Sequence, residues 1–146
     1  MNCDWIWNEY ELLYTTYESF NGYSLTLKSW SVTVGLAAVI AVYVEKLGNL
    51  GTIVLWTAAW STVPFWLLDA VWKSYQRAYI PRLEYLESLK GCSAENLHNF
   101  GIVESWDATH GYFDWIMEIP FSAFPHVFIL AISVYLVTKH PPTHSK

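Results

Sequence analysis

The residues of this 146-residue chain best suited to chemistry are few, and they gather where charge returns after long apolar runs. Glu104, Asp107, His110 and Asp114 recur at spacings of three and four, so a helix over 102–115 would set them on one face. Carboxylates and an imidazole brought together that way can hold a metal ion or exchange protons. Gly101 and Gly111 interrupt such a helix, and a solvated helix or loop face accounts for the same spacing without any pocket. The chain has no G-x-S-x-G, no glycine-rich phosphate loop, no H-E-x-x-H and no paired CxxC. It therefore reads as a non-enzyme, with no catalytic residue, metal site or cofactor.

Two other groups bear on binding and conduction. Lys73 and Arg77 are one helical turn apart, with Gln76 beside them and Arg82 near. Repeated around the axis of an oligomer, they would form a positive ring able to hold a phosphate-bearing ligand. Cations of this kind also appear wherever a span enters the cytoplasm. His126 follows Pro125 inside an apolar run and is the ionisable side chain set deepest in one. It suits a pore lining or gate, or else a packed imidazole bonded to a carbonyl that proline frees. Glu118 and Asp114 precede that run and would add negative charge at a pore mouth, unless they only edge the membrane.

The elements that must position these groups are set by charge-free windows. Ser29–Val44, Leu47–Leu68 and Ile119–Thr138 contain none of the chain's 8 basic and 13 acidic residues. A hydrocarbon core about 30 Å thick takes roughly 20 apolar residues, which the second and third windows supply. The first reaches that length only by starting near Tyr23 and including Lys28, whose stem can snorkel. Trp30, Trp66, Trp72 and Trp115 fall near one interface and Trp56 near the other, where indoles prefer to sit; Trp60 falls deeper, where packing explains it better. A soluble protein with buried core helices is the competing reading, and windows near 20 residues without charge weigh against it.

These observations predict an all-α integral membrane protein with three transmembrane helices, a single compact unit assembled as a homo-oligomeric bundle. Residues 1–22 form an N-terminal cytosolic helix ended by the Asn21-Gly22 turn signal. Transmembrane helices follow over 23–45 and 50–72, joined by a tight E-K-L-G-N-L-G hairpin; a helical and loop cytosolic segment over 73–118 leads to a third span over 119–139 and an extracytoplasmic tail over 140–146. Pro64 and Pro81 should each kink or break the second helix. Lys28, Lys73, Arg77, Arg82 and Lys90 lie on one side and Lys46, Lys139 and Lys146 on the other, so the positive-inside rule places the N-terminus in the cytoplasm and the C-terminus outside. The N-terminus lacks a basic leader region, so the first span acts as its own insertion signal. Cys3 and Cys92 then face the cytoplasm as free thiols. The formal charge of −5 argues against general nucleic-acid affinity. In the first span Ser31, Gly35, Ala38 and Val42 form a small-residue stripe suited to close helix contact, within one chain or between copies.

The run FWLLDAVWKSYQRAYIPRLEYLE, with KSWSVTVGL before it and an aromatic, acidic N-terminal helix, resembles a group of small multi-pass bacterial membrane proteins. The resemblance covers about residues 5 to 90 and, more loosely, the last span; F-W-L-L-D followed by K and Q-R is its most specific part. Such proteins look like the transmembrane effectors of anti-phage defence operons, among them oligomeric channels gated by a nucleotide or short oligonucleotide, as in the Hailong system. The resemblance implies a bacterial inner-membrane channel or pore of that kind, encoded beside an operon partner protein. No sensor domain is recognisable, so a gating ligand would have to bind helices and loops. The alternative is a non-conducting anchor or accessory subunit that recruits a soluble partner.

Overall fold

The computed structural model describes residues 4–45, 47–89 and 101–142. Among them are six helices and no strand: α1 (Asp4–Val44), α2 (Asn49–Arg77), α3 (Ile80–Ser88), α4 (Ile102–Thr109), α5 (Asp114–Glu118) and α6 (His126–Lys139). Cys3, Lys46, Lys90, Cys92 and Lys146 lie outside the described residues.

At 1.5 Å per residue, α1 is about 60 Å long and α2 about 44 Å. Both are long and apolar enough to cross a membrane. The turn between them is closed by Leu47 N–H donating to the Val42 carbonyl and by Gly48, whose φ of 53° is the left-handed conformation that glycine adopts without a steric cost. The two helices run antiparallel: Lys28 meets Asp69 near one end of the contact, and Val42 packs against Gly51 at the other. Packing on both, α6 runs parallel to α1. His126 lies level with Asp69, Ile129 against Gly35, and the His140 carbonyl accepts from the Tyr43 hydroxyl, so residues 140–142 finish beside the α1–α2 turn.

Several local expectations are corrected. Asn21-Gly22 does not end the first helix, because a helical glycine costs only about 1 kcal/mol and α1 is held along its length by α2 and α3. Helix α2 is not broken at Pro64, whereas the chain does break at Ala78–Tyr79, as expected of Pro81, which enters the first turn of α3. The third apolar window is not one helix. Pro120 and Pro125 leave turns between α5 and α6, and α6, at 14 residues, is only about 21 Å long.

Below the apolar section, α3 closes on the first half of α1. Leu13, Leu83 and Leu86 form a buried core there, ringed by Ile6, Tyr10, Tyr17 and Tyr79. Arg82 donates from Nε and Nη2 to Glu9 Oε1, each at 2.8 Å, in a buried pair. At the exposed rim the Tyr10 hydroxyl donates to Glu87 at 2.8 Å, and that bond raises the phenol above its usual range.

The apolar section is turned inside out relative to a water-soluble core. In the most apolar stretch of α1 only 17% of residues are buried, and in that of the second long helix only 28%. Trp30, Ile40, Ile53 and Trp60 each expose 60% or more of their surface, while Ser24, Ser31, Thr62, Asp69, His126 and Ser133 are all at 2% or less. A buried soluble-core helix shows the opposite distribution.

A buried polar cluster as the candidate functional site

Sequence spacing builds the cluster. Ser24, Ser31 and Gly35 share one face of α1, Thr62 and Asp69 one face of α2, and His126 and Ser133 one face of α6; residues seven apart lie two turns along the same stripe. The three stripes meet where the helices pack. Asp69, fully buried, sits at the centre. Its Oδ1 accepts from the Ser24 hydroxyl; its Oδ2 lies 3.1 Å from Lys28 Nζ and 3.6 Å from His126 Nε2. Lys28 also donates to Ser24 Oγ at 3.0 Å. A carboxylate withdrawn from water is costly unless paired and hydrogen-bonded, and here α1 supplies the cation and the hydroxyl. Both ring nitrogens of His126, and the hydroxyls of Ser31 and Ser133, are buried without a hydrogen-bond partner among the described residues.

The expectation that His126 bonds a proline-freed carbonyl is corrected: it faces the Asp69 carboxylate instead. The Ile119 carbonyl accepts from the Trp66 indole at 2.8 Å and, at 3.4 Å, from the Ser122 hydroxyl. Asp69 and Lys28 complete the site; the sequence marks Lys28 only as a snorkelling cation and Asp69 only as the end of the F-W-L-L-D run. The signal for Asp69 was available: it is the acid that follows immediately on the longest charge-free window.

The residues proposed for a phosphate ring are not gathered on one face. Lys73 Nζ donates to Asn21 Oδ1 at 3.1 Å and to Gln76 Oε1 at 2.8 Å, and buried Gln76 donates to the Tyr17 carbonyl at 2.9 Å. Arg77 turns the other way, its Nε 3.0 Å from Glu118 and its guanidinium 5.2 Å over the Phe121 ring. Arg82 is buried against Glu9. These side chains diverge because each neutralises or hydrogen-bonds a different neighbouring segment. A small cavity beside Arg77 is also lined by Asp114 and Glu118, whose carboxylates oppose an anion there.

Glu118 is buried and paired with Arg77, whereas Asp114 is exposed and accepts from the Gly111 N–H at 2.6 Å; the two acids share the edge of the small cavity beside Arg77. In the 104–114 group, Glu104 and Asp107 are exposed, and His110 stacks on Trp106 with ring centres 4.5 Å apart. Among the described residues no three His, Cys, Asp or Glu side chains are grouped to hold a metal ion. Of the small-residue stripe, Ser31, Gly35 and Val42 are buried inside the chain and Ala38 is half-buried; a Cβ on Gly35 would stand 2.2 Å from Ile129 Cγ2. Gly35 of the stripe seats Ile129 of α6, and Val42 meets Gly51 of α2. Trp60, read as a packing residue, points outward from α2.

Comparison of the chain with known protein families, curated proteins and solved structures finds no match to any of them.

Proposed function

We propose that the chain is an integral membrane protein whose α1, α2 and α5–α6 segments cross the bilayer, and that copies of it assemble into an ion-conducting channel. One observation carries this reading: an ionisable cluster, with Asp69 and His126 fully buried and Lys28 partly so, lies inside a three-helix section whose outer surface is apolar. Charged groups at membrane depth are expensive and are kept where they serve transport or gating. The turns at 119–125 fit this placement, since non-helical backbone at such depth is tolerated where neighbouring protein satisfies it, as Trp66 and Ser122 do here.

Three helices packed on one another leave no lumen, so conduction requires several copies. The outer face of α2 supports a seam between them. Ile53, Trp56, Thr57, Trp60 and Ser61 line a shallow groove there, and the Trp60 indole sits near the middle of the apolar stretch, where an N–H in hydrocarbon needs an acceptor. The resemblance noted above extends the proposal to an effector in bacterial anti-phage defence, opened or closed by a cytosolic nucleotide or oligonucleotide. The accessory-subunit reading is supported by Trp7, Leu12 and Tyr14, exposed on the cytosolic half of α1 where a soluble partner could dock.

Reconstitution decides between them. Protein that runs as a closed oligomer in detergent and releases ions from liposomes supports the channel; a monomer with silent vesicles overturns it. ATP, as a first phosphate-bearing probe, should change the flux if such a ligand gates the channel.

A further inference from the structure

Two side chains from two different helices approach the same oxygen. Asp69 Oδ2 on α2 is 3.1 Å from the ammonium of Lys28 on α1 and 3.6 Å from Nε2 of His126 on α6. With a neutral imidazole the three groups sum to zero charge, a state a low-dielectric site tolerates. A proton on Nε2 makes both ring nitrogens donors and leaves two cations against one carboxylate. Like charges held this close in a poorly screened site repel strongly. Relief can come only from the member able to leave: the Asp69 and His126 side chains are fully buried, while that of Lys28 is 23% exposed at the end of a long stem.

The other charged groups near the site have their own partners, although the Lys73 ammonium is close enough to feel both Lys28 and Asp69. On α2 the next cation, Lys73, is held by Asn21 and Gln76. On α5 Glu118 is held by Arg77. On α1 the remaining group at the site is the Ser24 hydroxyl, which donates to Oδ1 and is neutral. Among the described residues neither ring nitrogen of His126 has a hydrogen-bond partner, so no hydrogen bond fixes one tautomer, while Asp69 Oδ2 stands 3.6 Å from Nε2.

We infer that Lys28, Asp69 and His126 form a proton-exchange site: proton uptake at His126 Nε2 displaces the Lys28 ammonium from the Asp69 carboxylate. The proton comes from water and forms the Nε2–H bond; the Lys28–Asp69 pair separates and a His126–Asp69 pair replaces it. The ion pair thereby passes from the α1–α2 contact to the α2–α6 contact. Helix α1 loosens at Lys28 while α6 is drawn onto α2, so the occupancy of one proton selects which pair of helices is tied.

The inference rests on the membrane placement proposed above and not on conduction. Full-length protein labelled with ¹⁵N-histidine in lipid nanodiscs tests it, the His126 signal being assigned by its loss in His126→Gln. The expected result is a ring titration whose midpoint rises by about one pH unit, a tenfold gain in proton affinity, in Lys28→Met, because the competing cation is gone. In Asp69→Asn the midpoint should fall. An imidazole neutral from pH 4 to 9, or a midpoint unmoved in Lys28→Met, overturns the inference. Should Asp69→Asn fail to fold, Lys28→Met decides alone. Ion release from liposomes is measured on the same preparations: a moving midpoint with silent vesicles defeats only the channel, and conducting vesicles with an unmoved midpoint defeat only the exchange site.

Discussion

Gly22 and Gly35 show what a single residue contributes to α1. Both are interior helix glycines, and on propensity alone alanine at either should gain about 1 kcal/mol. At Gly22 nothing lies within 4 Å of an added Cβ, so Gly22→Ala should stabilise the protein by up to that amount. At Gly35 the added carbon would fall 2.2 Å from Ile129 Cγ2, a branch that cannot swing away without turning the whole side chain. Overpacking of this kind costs roughly 1–3 kcal/mol, enough to outweigh the propensity gain, so Gly35→Ala should lower the thermal midpoint in detergent and Ile129→Ala should restore part of the loss. Equal effects at the two positions would show that α6 does not seat on Gly35. The small-residue stripe was legible from spacing; the partner it receives was not, because i, i+4, i+7 spacing defines a face and says nothing of what lies opposite.

At the scale of elements, the decisive feature is the break before α6. Sequence marks Pro120 and Pro125 but leaves the window continuous in hydropathy, and it takes the packing of α2 to show how the turns are kept. The Trp66 indole donates to the Ile119 carbonyl across that contact. Trp66→Phe keeps the ring's bulk and removes the shorter bond, leaving the carbonyl only the 3.4 Å contact from the Ser122 hydroxyl. The cost should be about 1–3 kcal/mol, read as a lower thermal midpoint, and an unchanged midpoint would mean that the carbonyl finds another donor. The continuous α1 teaches the reverse lesson. Asn21-Gly22 is a sound local turn signal, yet the contacts of α1 with α2 and α3 on either side of it override a preference of about 1 kcal/mol.

At the scale of the whole molecule, α6 returns residues 140–142 to the side of the α1–α2 turn, while α3 sits at the opposite end. In a chain with Cys3 and Cys92 replaced by Ser, Glu45→Cys and Lys139→Cys should therefore react with an impermeant maleimide from one face of intact cells. Glu84→Cys should react only after permeabilisation. Labelling of positions 45 and 139 from opposite faces would mean that the α5–α6 segment does not cross. The charge-free windows and the identity of every polar residue in the stripes stand in the chain itself, and they are enough to specify helices of near-membrane length with one polar face each. Which faces meet is a matter of three-dimensional packing. Only the antiparallel α1–α2 contact, with α6 laid across it, brings Lys28, Asp69 and His126 to one oxygen from positions 41 and 57 residues apart in sequence. The same packing sends Lys73, Arg77 and Arg82 to separate partners, because a cation at a helix contact is neutralised by whatever carboxylate or carbonyl the fold sets beside it, and no linear spacing records that neighbour.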